Sequence, residues 1–460
     1  MSLTVKSHEI DMTTGPLFGK IVCFAIPLIF SNMLQILFNA ADVAVVGQFA
    51  GSEALAAVGA NTAVIFLLTN LFIGISMGSN IAVARHLGEK DEEAASRAVH
   101  TSIAVALVSG FCLIGVGWFA ARPFLTWMNT PSDSLELAIL YMKIYFAGMP
   151  SIMLYQFGSA ILRAIGDTRR PMIYLTFAGG VNIVLNLVFV ICFQMSVAGV
   201  ALATIISQTI SAILILRSLM RADGCYRLSW NSLCFDRREL SLMVRIGLPA
   251  GMQSCLFSIS NVMIQSSINS FGYLAVAGST AASNVENFCN MASSAIFQTA
   301  MSFTGQNYGA RRYDRILHVF LITVGLGVAV LGLMGLGCYW FGPFFLSLFT
   351  NDPQVIPYGM VRMAKICALE AIVPFMDIAV GPLRGMGKSL QPMLAAVLCI
   401  CGVRILYLYT VFAAYPTLEV LYASYPITWA LSGVVTTFLF FYYYRKLIHE
   451  HDAETAAAAD

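Results

Sequence analysis

Four carboxylates lie inside long apolar stretches of the 460-residue chain: Asp42, Glu286, Glu370 and Asp377. A charged side chain at the centre of a bilayer costs about 2.5–3.5 kcal/mol on insertion scales, so an acid placed there is a candidate for binding a proton or a cation. Asp42 follows Gln35 and Asn39, which stand seven and three residues earlier on nearly the same helical face. Asn182 and Asn186 are four residues apart and share a face as well. Amides of this kind either coordinate a cation beside a carboxylate or bond one helix to another. Further along, Ser283, Glu286, Asn287 and Asn290 recur at helical spacing as one polar stripe, with Asn284 beside it. Such a stripe must face a cavity or a neighbouring helix. There Glu286 either meets a cationic ligand or is a buried acid satisfied by asparagines. Asp377 suits a second cation site or a pair with Arg384. Glu370 has Lys365 and Arg404 as possible neutralising partners.

The elements that must position these residues are membrane helices. The chain is 58% hydrophobic and 11% charged, against roughly a quarter charged in a soluble domain. That is too little polar surface for a water-soluble globule. A spanning helix needs about 20 mostly apolar residues. Twelve such runs are predicted, near 20–46, 54–80, 97–120, 135–158, 171–193, 197–220, 242–270, 275–302, 316–340, 356–381, 392–414 and 418–444. Prolines within them, such as Pro27, Pro150, Pro249 and Pro374, mark kinks rather than ends. The fold class expected is therefore an all-α membrane protein with twelve transmembrane helices.

Charge fixes an expected topology. Of the 26 lysines and arginines, 21 fall in or beside the termini, the loops after spans 2, 4, 8 and 10, and the central linker. Of the alternate loops, only the one after span 3 has a basic residue, Arg122. The positive-inside rule makes the rich side cytoplasmic, with both termini inside. The segment Met1–Phe18 carries Lys6, His8, Glu9 and Asp11 before any apolar run, so no cleavable signal peptide is expected. The eleven cysteines form no CxxC pair and no cluster with histidine, which argues against a metal site or a disulfide framework. The six histidines lie in tails or at helix ends, so an enzyme is not expected.

The two halves are copies. Leu162-Arg163-Ala164-Ile165-Gly166-Asp167 returns as Leu383-Arg384-Gly385-Met386-Gly387-Lys388, each followed at the same spacing by a proline, Pro171 or Pro392. Pro27 matches Pro249, and Leu55–Gly59 matches Leu274–Gly278 at nearly the same offset. Six spans per repeat means that both halves enter from one side, so the repeats are parallel, two six-helix lobes that enclose a cavity. The divisions expected are residues 1–220, a linker at 221–240, a second lobe at 241–446 and a disordered tail at 447–460. The repeat offset sets Asn261 opposite Asp42, so the copies differ in chemistry.

Ile26-Pro27, the run Asn39-Ala40-Ala41-Asp42-Val43 to Val46-Gly47, Glu53–Gly59 and both LRxxG elbows resemble the multidrug and toxic compound extrusion (MATE) family over nearly the whole chain. The resemblance implies antiport of bulky, often cationic amphiphiles against inward H⁺ or Na⁺ across a bacterial plasma membrane, with no resident cofactor and no nucleic-acid partner. It points to Asp42 as the coupling acid of the first lobe, with Asn39, Asn182 and Asn186 around it. The family pattern commonly has an acid where Asn186 stands, which weakens a switch built on two carboxylates. Gln35, Asn261, Asn284, Glu286, Asn287 and Asp377 are the expected cavity residues. A monomer in membrane lipid is expected. An exporter or flippase of a lipid-linked or other endogenous metabolite is the alternative. Its anionic cargo needs basic residues within the spans, of which Arg404 is the clearest. A channel suits isolated buried acids in two lobes less well than a two-state carrier does.

Overall fold

The computed structural model describes residues 9–128, 130, 132–350 and 352–457. Lys6 and His8 lie outside them. Every regular element among the described residues is helical, which suits a hydrocarbon environment because a helix pairs its backbone polar groups within itself. In the first half these are α1 Leu17–Val45, α2 Ser52–Glu89, α3 Glu92–Trp127, α4 Ser132–Ala147, α5 Met149–Ile165, α6 Arg169–Leu187 and α7 Ser196–Met220. In the second they are α8 Arg237–Asn269, α9 Tyr273–Gly309, α10 Tyr313–Trp340 and the short α11 Gly342–Ser347. Then come α12 Val355–Lys365, α13 Val373–Met376, α14 Val380–Gly385, α15 Leu390–Ala396, α16 Val403–Tyr407 and α17 Leu418–Ala457.

Ten spans among the described residues are long and apolar enough to cross a membrane. An eleventh is the pair α4–α5, bent by 48°. The bend falls at Gly148, just before Pro150, whose ring and missing N–H disrupt the ladder. The remaining expected span is α9, which at 37 residues has length to spare. Its serines and asparagines lower its hydropathy, as a helix facing a polar interior should show. The expected span at 356–381 is built from α12, α13 and α14 with a 3₁₀ stretch, Cys367–Ile372, between the first two. Glu370 sits in that stretch. The expected disorder of the tail is corrected: α17 runs on to Ala457, helped by alanines and by the Lys446–Glu450 contact at i,i+4. Residues 458–460 lie outside the described set.

The chain forms two compact units. Of the described residues, one holds 9–11 and 26–251, the other 12–25 and those from 252 to 457. Thus the first turns of α1 cluster with the second unit and the first turns of α8 with the first. In the second unit Asn307 Nδ2 donates to the Met12 carbonyl at 3.1 Å, and Arg315 Nη2 donates to Thr14 O at 3.2 Å. The linker is tied to the first unit: Ser229 N donates to His100 Nε2 at 3.1 Å and Asp236 N to Thr101 Oγ1 at 3.1 Å. Asp236 also caps α8. The backbone amides of Glu239 and Arg238 hold its carboxyl below the usual carboxylate range.

Within the first unit, α2 and α8 approach at backbone distance through small residues, the usual way that membrane helices pack. A Cβ built on Gly78 would lie 2.1 Å from the Met243 carbonyl oxygen, and one on Gly74 would lie 2.4 Å from Gly251 N. Gly59, on the same helix, has nothing within 4 Å of such a Cβ. Gly78→Val should therefore force the helices apart and lower the thermal midpoint and yield of the purified protein. Gly59→Ala should be neutral or stabilising by up to about 1 kcal/mol from helix propensity. Equal melting behaviour of the two variants would mean that this contact does not hold the unit together.

Candidate functional site

Each unit has a polar cavity among the described residues that holds an acid singled out by the sequence. In the first unit the cavity is about 330 Å³ and draws on α1, α2 and α4–α7. Gln35, Asn39, Asp42 and Asn182 line it, together with Tyr141, Tyr145 and Thr204, which the sequence did not single out. Asp42 is half-buried. Asn186 Nδ2 donates to Asp42 Oδ1, and Thr204 Oγ1 donates to Oδ2 at 3.3 Å. Asn186 Nδ2 also reaches Asn182 Oδ1 at 3.2 Å, so the i,i+4 pair on α6 acts as one unit. The expected grouping of Asp42 with Asn182 and Asn186 is thus present in space. Asn39 lines the cavity but makes no hydrogen bond to Asp42 among the described residues.

One feature of this cluster is unsatisfied. Asn186 Oδ1 is buried and has no hydrogen-bond partner among the described residues. A buried amide oxygen left bare beside a carboxylate is costly. It is also what a cation, or the O–H of a protonated acid, would require as a partner. Every hydrogen-bond donor that Asp42 meets here is neutral. Among the described residues no lysine or arginine lines the cavity.

The cavity of the second unit is about 320 Å³, and its chemistry differs. Asn261 on α8 and Glu286, Asn287 and Asn290 on one face of α9 line it. Glu286, however, has an internal cation in place of a ligand. Arg362 Nε donates to Oε1 and Nη2 to Oε2, both at 2.7 Å, and Nη1 donates to Ser279 Oγ at 2.8 Å. A planar guanidinium matches a carboxylate in this two-point geometry, which leaves Glu286 little capacity for a second cation. Two other expectations are corrected as well. Asn284 is exposed and Asp377 accepts from Ser293 Oγ at 2.7 Å; neither is part of the cavity lining. Glu370 does line the cavity, with Oε2 buried and unpartnered. Neither Lys365 nor Arg404 lies within ion-pair distance of it among the described residues.

With the geometry in hand, comparison with known proteins decides the family. The MatE family profile matches residues 27–188 and again residues 249–410. The chain belongs to the MatE family. The two matches are 222 residues apart at both ends, which is the internal repeat read from the sequence. Among curated relatives, the probable multidrug resistance protein YoeA of Bacillus subtilis is 28% identical over 422 residues, covering 89% of this chain and 90% of that protein. A FAD transporter of Shewanella oneidensis is 23% identical and covers 75% of this chain and 77% of its own. Among solved structures, an outward-facing multidrug resistance MATE family transporter superposes with a TM-score of 0.89 at 24% identity, covering 95% of this chain and 98% of that one. The MatE chain described here thus has the all-helical transporter fold of its relatives. It is a multi-pass membrane protein of a family of multidrug efflux transporters.

Proposed function

We propose that this MatE protein is an H⁺- or Na⁺-coupled antiporter that exports small amphiphilic, often cationic molecules by alternating access. It does so as a monomer in a bacterial inner membrane with both termini cytoplasmic. The observation that carries this reading is the Asp42–Asn186–Thr204 cluster, an intramembrane carboxylate with a bare amide oxygen beside it. A charged Asp42 accepts from Asn186 and Thr204. A proton on Asp42 turns one acceptor into a donor, so at least one of those donors must turn away and Asn186 Oδ1 gains a partner. A sodium ion would instead draw Asp42 and the free amide oxygen toward itself. Either event changes the contacts that α6 and α7 make with α1, which couples the ion to the packing of the unit.

Purified protein in sealed vesicles, given an imposed proton or sodium gradient, tests this. The expected result is accumulation of ethidium, an amphiphilic cation, driven by one of the two gradients and absent in empty vesicles. Accumulation with neither gradient imposed, or with neither effective, rejects the coupled reading. A second reading, export of an anionic endogenous metabolite, is favoured by Arg404 in the second cavity and by the relative named a FAD transporter.

A further inference from the structure

We propose that the cavity of the second unit is an oxyanion subsite, in which Arg404 binds a carboxylate carried on a flat aromatic body. Arg404 is 3% exposed and lines the cavity. Its Nε is buried without a hydrogen-bond partner among the described residues. Its terminal nitrogens reach only neutral oxygens, Asn261 Oδ1 at 3.4 Å and Thr428 Oγ1 at 3.2 Å. A guanidinium offers five donors in a fixed fork, and these contacts use two of them at long range.

The other charges facing the cavity do not satisfy it. Glu286 is closed by Arg362 through two contacts of 2.7 Å. Glu370 is not within ion-pair reach of Arg404 among the described residues. The cavity therefore holds two guanidiniums and two carboxyls but only one formed pair. A buried, unpaired guanidinium is costly, and a planar two-oxygen anion is the group that matches its fork. The aromatic character of the ligand follows from the walls. Tyr425 lies 4.3 Å from the Arg404 guanidinium, and Trp429, one turn along α17, lines the same space with Phe257. A volume of about 320 Å³ accommodates a two-ring molecule.

The inference rests on the export reading only where it calls the bound molecule cargo. Binding itself is measured at equilibrium without a gradient. The full chain in detergent is titrated with 2-naphthoate and with uncharged 2-naphthamide, following tryptophan emission, and Trp429→Phe assigns the quenched residue. The acid is expected to bind at least about tenfold more tightly than the amide, a difference of about 1.4 kcal/mol. Arg404→Gln should abolish that preference without changing amide affinity. Glu370→Gln, which removes the competing carboxyl, should tighten the acid alone. If Arg404→Gln does not fold, the wild-type pair and Glu370→Gln decide the matter. Equal affinities of acid and amide in the wild type, or an unchanged preference in a folded Arg404→Gln protein, overturns the proposal. Failure here leaves the vesicle result standing, and failure of gradient-driven export leaves this binding result standing.

Discussion

Asp42→Asn is expected to reduce gradient-driven accumulation of ethidium to the level of empty vesicles while the protein still folds and still binds the dye. The substitution keeps the size and planarity of the side chain. It removes a charge that costs about 2.5–3.5 kcal/mol to place in a membrane helix, so stability should hold or rise. What disappears is the ability to exchange a proton or hold a cation against Asn186 and Thr204. Asn182→Ala touches the same cluster, because Asn182 Oδ1 accepts from Asn186 Nδ2 and the Asn182 amide also reaches Thr204 and Asp42. It should slow transport without abolishing it. Initial rates of dye uptake, normalised to protein that elutes as a single species, measure both. An Asp42→Asn protein that transports at the wild-type rate would remove the basis for placing coupling in the first unit.

The second large effect concerns stability. Glu286→Gln should lower the unfolding free energy by about 3–5 kcal/mol, because it leaves the Arg362 guanidinium buried without its anion. Both partners are nearly excluded from solvent, at 6% and 7% exposure. The tyrosine rings of Tyr422 and Tyr425 at 5.6 and 5.7 Å offset only part of the lost charge pairing. Removing both charges, as Glu286→Gln with Arg362→Met, should recover much of the loss, since a buried pair is often replaceable by apolar packing. Thermal unfolding of the four proteins forms a double-mutant cycle, and additive losses would show that the two side chains act independently. A purely substrate-binding Glu286 predicts the opposite pattern: weakened binding with unchanged melting.

The sequence told much of the fold and part of the site, for physical reasons that differ between residues. Hydropathy and basic loops located the spans because a bilayer imposes length and composition on every helix. The repeat was visible because Pro27 and Pro249, and the two LRxxG elbows, serve the same geometry twice. The Asp42 grouping was legible through the family resemblance, since spacing alone left Asn182 and Asn186 open between cation ligands and helix–helix hydrogen bonds. Thr204 was not legible, because a threonine hydroxyl in a membrane helix normally bonds its own backbone, as Thr204 also does to Val200 O at 3.0 Å, and Tyr141 and Tyr145 were not because no local spacing marks which tyrosines face a cavity. The Glu286–Arg362 pair was missed because its partners are 76 residues apart, on α9 and α12, and no local spacing joins them. For the same reason Asp377 and Asn284 read as cavity residues: spacing gives a face, but only packing says what that face meets. The breaks in the span that carries Glu370 were hidden because Pro374 read as a kink in one helix rather than as the start of a second segment.

The most direct test of the central claim is counter-movement of the ion itself. Vesicles containing the wild-type protein, with no gradient imposed and a pH- or Na⁺-sensitive dye inside, are given ethidium. Ion movement opposite to the dye is expected, started by substrate, and absent with Asp42→Asn although that variant still binds ethidium. Dye entry with no ion movement, or ion movement that persists in Asp42→Asn, would contradict coupling at Asp42.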